Sequence, residues 1–149
     1  MLKAENIMTT DVVSVSAQTE LKELAALFQK HNFSSMPVVD SQGDLAGIIT
    51  TTDLIELDTE LHIPTVISIF DWVLYLESEK NFEEQVRRIS AHTVAEVCTT
   101  DVVVCAPSTP VADVAELMVQ HKVHLIPVVE DNKLIGVIAR LDIVRAMGV

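Results

Sequence analysis

This 149-residue chain repeats itself, and the repetition limits its possible folds more than any other feature. Ile7-Met8-Thr9-Thr10-Asp11-Val12-Val13 returns as Val97-Cys98-Thr99-Thr100-Asp101-Val102-Val103. The same spacing pairs His31 with His121 and Pro37-Val38-Val39 with Pro127-Val128-Val129. One residue is then lost in a turn, and Gly47-Ile48-Ile49-Thr50-Thr51-Thr52-Asp53 pairs with Gly136-Val137-Ile138-Ala139-Arg140-Leu141-Asp142. Self-similarity held over this length marks a duplicated structural unit, here near residues 4–57 and 94–147. A unit of this size leaves too much of its core open to stand alone, so the two are expected to cover one another.

Each unit reads strand–helix–strand–strand–helix. Val12-Val13-Ser14-Val15 and Val102-Val103-Val104-Cys105 are β-branched runs of strand length. Leu21, Leu24, Ala25 and Phe28 lie on one helical stripe capped by Thr19. Val111, Val114, Ala115 and Met118 form its twin, with Thr109 as cap and Pro110 in the first helical position. These helices end near His31 and His121. Short strands beginning with proline follow, Met36–Val39 and Ile126–Val129. After a turn come Leu45–Thr50 and Leu134–Ala139, and a last helix opens near Thr51 or Arg140. Residues 58–93 interrupt the repeat and are too many for a structureless loop. Val66–Leu76 is apolar almost all round, which predicts a buried helix. A second helix is predicted from Asn81, with Glu84 placed for a capping box. The division is a first repeat at 1–57, a helical insert at 58–93 and a second repeat at 94–149. The class is α/β (α+β): two pseudo-symmetric β-α-β-β-α units packed sheet to sheet as one module.

Composition narrows function by exclusion. The formal net charge of −12 repels nucleic-acid phosphates and anionic membrane surfaces. Neither a signal-peptide pattern nor an 18-residue apolar run is present, so a cytoplasmic protein with no membrane partner is expected. Cys98 and Cys105 match no zinc spacing and read as reduced and partly buried. The five histidines lack ligand spacing with thiols or carboxylates, and no metal is expected. Nucleophile elbow, phosphate loop and Cys–His motif are all missing, so the chain does not read as an enzyme.

The paired stretches Met8-Thr9, Pro37-Val38-Val39-Asp40 and Gly47-Ile48-Ile49-Thr50 with Asp53, and their partners Pro127-Val128-Val129-Glu130, Gly136-Val137-Ile138 and Asp142, resemble a tandem pair of cystathionine-beta-synthase (CBS) domains. The resemblance implies a disc-like, often homodimeric module that binds adenosine-containing ligands between its repeats and regulates an effector protein, expected to be a separate polypeptide. It implies no required cofactor. Carried over residue by residue, one cleft would use Asp53, Thr50, Ile48, His31 and Asn32, closed by Val103, Val123, His124 and Leu125. The other would use Asp142, Ala139, Val137, His121, Lys122 and Arg140, closed by Val13, Phe33, Ser34 and Ser35.

The chemistry of these positions suits that role. An ionised carboxylate can accept from both ribose hydroxyls, and a threonine can donate to phosphate. Apolar walls hold a purine. The clefts differ: Asn32 stands where the first calls for a cation, with His124 as a substitute donor, and Ala139 stands where the second calls for a hydroxyl. With few cations on either side, a monophosphate such as AMP is preferred to a triphosphate. Plainer roles compete. The aspartates can serve as helix caps and the histidines as partners of helix C-termini. The glycines can permit a bulge or close packing, and Lys122 and Arg140 can be solvated surface charges. The competing function is a ligand-free structural or dimerisation module.

Overall fold

The structure, a computed structural model, describes residues 1–61 and 92–148, with backbone only for 58–61. The helices expected at Val66–Leu76 and from Asn81 lie outside the described residues. In chain order the elements are α1 (Ala4–Ile7), β1 (Val15–Ser16), α2 (Leu21–His31), β2 (Ser35–Val39), β3 (Leu45–Thr50), α3 (Thr51–Leu61), α4 (Val94–Val97), α5 (Val111–His121), β4 (Leu125–Glu130), β5 (Lys133–Ala139) and α6 (Arg140–Ala146). The first helix–strand–strand–helix series is thus α2-β2-β3-α3 and the second α5-β4-β5-α6.

β2 and β3 are antiparallel, with β1 added in parallel to β2. β4 and β5 repeat the hairpin, and Cys105 makes a single parallel bridge to Val128 where a third strand was expected. The predicted strands 12–15 and 102–105 therefore shrink to Val15–Ser16 and that bridge. β-branched residues favour extended backbone but do not by themselves provide a neighbour to pair with. Each repeat has its own core. Leu21, Leu24, Phe28, Met36, Val38 and Ile49 fill the first, and Val114, Met118, Ile126, Val128 and Ile138 fill the second.

α1 and α4, which sequence periodicity did not predict, lock the repeats together by exchange. Ala4 belongs to the second core and Val94 to the first, each fully buried. Backbone bonds follow the same exchange: Ala4 N–H donates to the Thr109 carbonyl at 2.8 Å, and Val94 N–H donates to the Thr19 carbonyl at 2.9 Å. The exchange also corrects the expected caps. Neither Thr19 nor Thr109 caps its helix. Leu21 N–H at the start of α2 donates to His92 O at 3.1 Å, and Val111 N–H at the start of α5 donates to Leu2 O at 3.0 Å. Backbone from outside the helix's own repeat satisfies the amide a side-chain cap would have served. Pro110 is accordingly the residue before α5, not its first.

Gly47 and Gly136 are explained by the same crossing. A Cβ on Gly47 would lie 2.7 Å from Thr99 O, and one on Gly136 would lie 2.6 Å from Met8 Sδ. Thr99 pairs there with Ile48, and Thr9 pairs with Val137. Both hairpins also shift register beside these glycines, after Val38 and Val128.

Candidate ligand-binding cleft

Where β3 ends and α3 begins, Thr50 and Asp53 cap the helix reciprocally. Thr50 N–H donates to Asp53 Oδ2 at 2.8 Å, and Asp53 N–H donates to Thr50 Oγ1 at 3.1 Å. This is a capping box, so the plainer role for Asp53 is real. It leaves chemistry unspent: Asp53 Oδ1 has no protein partner among the described residues, and the Thr50 hydroxyl keeps its proton to donate. At the matching junction Asp142 Oδ2 accepts from Ala139 N–H at 2.8 Å. Ala139 has no hydroxyl to return the bond, and Arg145 Nη1 stands 3.7 Å from Asp142 Oδ1.

The Asp53 junction opens into a cavity of about 470 Å³ between the repeats. From the first repeat, Ile48, Thr50, Thr51, Thr52 and Asp53 line it, together with Ser34 and Ser35. From the second come Thr99, Asp101, Val102, Val103, Lys122, Val123, His124, Leu125 and Arg140. Of the residues expected in the first cleft, Ile48, Thr50, Asp53, Val103, Val123, His124 and Leu125 line this one cavity. His31 and Asn32 do not. His31 stacks on Phe33 with ring centroids 5.3 Å apart. Asn32 is the left-handed residue that ends α2, with φ 55°.

Four residues expected in the second cleft, Lys122, Arg140, Ser34 and Ser35, line the Asp53 cavity. The reason is where their helices end and begin. Lys122 ends α5 at φ 55° and Arg140 opens α6, so both stand where the repeats face one another. Two cations that the reading from Asn32 did not expect there, Lys122 and Arg140, line the Asp53 cavity, on a wall that also carries Asp101. Asp142, Ala139, Val137, His121, Val13 and Phe33 are not part of its wall. Val13 packs instead against the first core. The sequence reading also missed Thr51, Thr52, Thr99, Asp101 and Val102. The run of three threonines before Asp53 was a usable signal, whereas Thr99 and Asp101 enter only because their segment crosses to the other repeat.

Cys98 packs on the edge of the first core, where burial, and secondarily the charge of Asp53, raise its thiol pKa. Burial pushes the Cys105 thiol up to about 11. Neither is in a disulfide. The described residues contain no cluster of three or more potential metal ligands. Among them no helix is long and apolar enough to cross a membrane.

Comparison with known proteins accords with this architecture. The chain is 29% identical over 143 residues to the CBS domain-containing protein YhcV of Bacillus subtilis, covering 96% of this chain and 84% of that one. It superposes on CBSX2, solved in complex with AMP, with TM-score 0.75 and 25% identity, covering 99% of this chain and 96% of that one. It superposes equally on the CBS domain of a CBS domain-containing membrane protein from Sphaerobacter thermophilus, with TM-score 0.74 and 30% identity, covering 97% and 87%. The CBS domain profile matches residues 4–60 and again 94–149. The chain therefore belongs to the CBS domain family, and its two repeats are two CBS domains.

Proposed function

We propose that this chain is a regulatory module that senses an adenosine-containing ligand, AMP in the simplest form, in the Asp53 cavity. One observation carries the reading. A free carboxylate oxygen, donor hydroxyls, an apolar wall and three cationic or titratable side chains converge on one space from two repeats. Asp53 Oδ1 accepts from ribose, Val103, Val123 and Leu125 flank the base, and Thr50, Lys122, His124 and Arg140 hold the phosphate. AMP in the related CBSX2 supports the choice of ligand. The Asp142 junction lacks the hydroxyl and faces Arg145, so one ligand per chain is expected.

Occupancy regulates by favouring one arrangement of the repeats over another, since a ligand shifts an equilibrium only through differential affinity. An effector protein reads that arrangement, and the chain performs no chemistry on the nucleotide. Two copies pair through the outer face of α6, where Leu141 and Val144 are exposed, and the matching face of α3, where Ile55 is 62% exposed.

The test is thermal unfolding with AMP, ADP, ATP, S-adenosylmethionine and NAD. A ligand at one hundred times its Kd stabilises by about 2.7 kcal/mol, on the order of 5–10 °C for a chain of this length. Asp53→Asn keeps an oxygen for the cap and removes the charge. It is expected to leave the melting temperature of the free protein within about 1 °C while weakening AMP at least tenfold. No stabilisation by any of these nucleotides would leave the ligand-free dimerisation module as the better reading.

A further inference from the structure

The cavity wall that carries Lys122 and Arg140 also carries an acid, Asp101. Its place follows from the crossing at Gly47. There Thr99 lies against β3, bridged antiparallel to Ile48, and the chain runs on through Asp101, Val102 and Val103 along the cavity. Asp101 is exposed and makes neither a hydrogen bond nor an ion pair among the described residues. An exposed carboxylate needs no partner, because water solvates it. Its charge is therefore left to act on whatever enters the cavity.

The charges on the wall limit the ligand. Lys122 and Arg140 are matched in number by Asp53 and Asp101, beside the titratable His124. One oxygen of Asp53 is committed to its helix cap, whereas Asp101 has no such task. A monophosphate can engage both cations. Each further phosphate adds negative charge where the wall, among the described residues, offers no further fixed cation. Low-dielectric walls focus the field of a charge inside a cleft. Asp101 therefore repels a longer phosphate chain more than a short one, wherever in the cavity that chain lies. The duplication provides a control. Asp11 is the equivalent residue, two places after Thr9, which bridges Val137 as Thr99 bridges Ile48. It is likewise exposed, but it is not on the wall of the Asp53 cavity.

We infer that Asp101 sets the number of phosphates the site accepts, admitting the adenosine monophosphate and turning away the di- and triphosphate by repulsion. The inference rests on the nucleotide reading above and adds the residue that decides among nucleotides differing only in phosphate number. Selection of this kind is a difference of affinities, and an element set against the wrong ligand serves it as well as one that favours the right ligand. In a mixture of the three, the module then reports the least phosphorylated.

The experiment is calorimetric titration of the full chain with AMP, ADP and ATP, free of divalent cations, for the wild type and three variants. The wild type is expected to bind AMP most tightly and ATP least. Asp101→Asn keeps the shape and removes the charge, and is expected to raise ATP affinity about tenfold relative to AMP. Asp101→Glu keeps the charge and is expected to keep the order. Asp11→Asn makes the same change in net charge away from the cavity and is expected to leave the ratio unchanged. Wild-type ATP affinity equal to or above that for AMP overturns the inference. So does an unmoved ratio in Asp101→Asn, or an equal shift in Asp11→Asn, which assigns the effect to the global field. Loss of the order in Asp101→Glu overturns it in favour of shape. Equal weakening of all three nucleotides by Asp101→Asn makes Asp101 an acceptor for the adenosine part and overturns it too. In each of these cases AMP binding leaves the nucleotide reading standing. Failure of every nucleotide to bind both the wild type and Asp101→Asn removes that reading and this inference with it.

Discussion

Asp53 caps a helix and lines the cavity at once, so under the function proposed above one side chain serves fold and ligand together. One oxygen closes the cap on Thr50 N–H and the other is left to the cavity. Gly47 is constrained by backbone rather than by ligand. The group that a Cβ would meet is the Thr99 carbonyl, held in a two-way bridge to Ile48 at 2.9 Å in each direction. Gly47→Ala is therefore expected to destabilise by about 1–3 kcal/mol. Gly136→Ala should destabilise less, because the nearest atoms belong to the flexible Met8 side chain. Chemical denaturation of the two variants decides the order. Cys105 gives a pH dependence. Its thiol is held neutral to about pH 11 in the fold, whereas an unfolded thiol ionises near about 8.5. Its contribution is complete below the unfolded value and is lost as pH rises through the folded one. Denaturation midpoints should fall from about pH 9 to 11, and less steeply in Cys105→Ala.

At the scale of elements, legibility followed periodicity. α2 and α5 were readable because apolar residues recur on one stripe, and both end at the predicted histidines. The hairpins were readable from β-branched runs flanking a turn. α1 and α4 were not, because four residues are too few to show a helical period. The missing caps had the same origin, since Leu21 and Val111 find their acceptors outside their own repeats, at His92 and Leu2. The site divided along the same line. Positions within one junction, Thr50 and Asp53, could be placed from spacing. Lys122 and Arg140, expected beside Asp142, line the Asp53 cavity as well, because their reach depends on how the repeats face. If the exchange holds the elements, Val94→Ala should destabilise by roughly 2 kcal/mol. It should also speed hydrogen exchange at Leu21, whose amide is bonded beside it at His92. Unchanged exchange at Leu21 would separate the segment from the helix it is argued to hold.

Across the whole molecule, charge works against compactness. The formal charge is −12, and ion pairs among the described residues are few and on the surface, such as Lys133 with Asp44 at 2.8 Å between the two hairpin tips. Surface pairs of this kind contribute about 0–1 kcal/mol each, while self-repulsion is spread over every carboxylate. Raising ionic strength from very low to physiological should increase the melting temperature of the free protein. If AMP binds as proposed, with its phosphate at Lys122 and Arg140, the same salt should weaken it by screening those charges. Opposite signs for the two effects, read from one salt series by calorimetry, distinguish the cluster from the global field.

The reciprocal exchange of α1 and α4 sets an order on how this chain comes into being. During synthesis the first repeat emerges with its hairpin and helices complete but without Val94, the Thr99 bridge or the acceptor for Leu21. It must wait unfinished while α1, already made, has no second core to enter. The cavity has walls from both repeats, so it is complete only when the second repeat has docked on the first. A ligand held as proposed above, by both walls, would therefore report on the docking of the two repeats as well as on its own concentration.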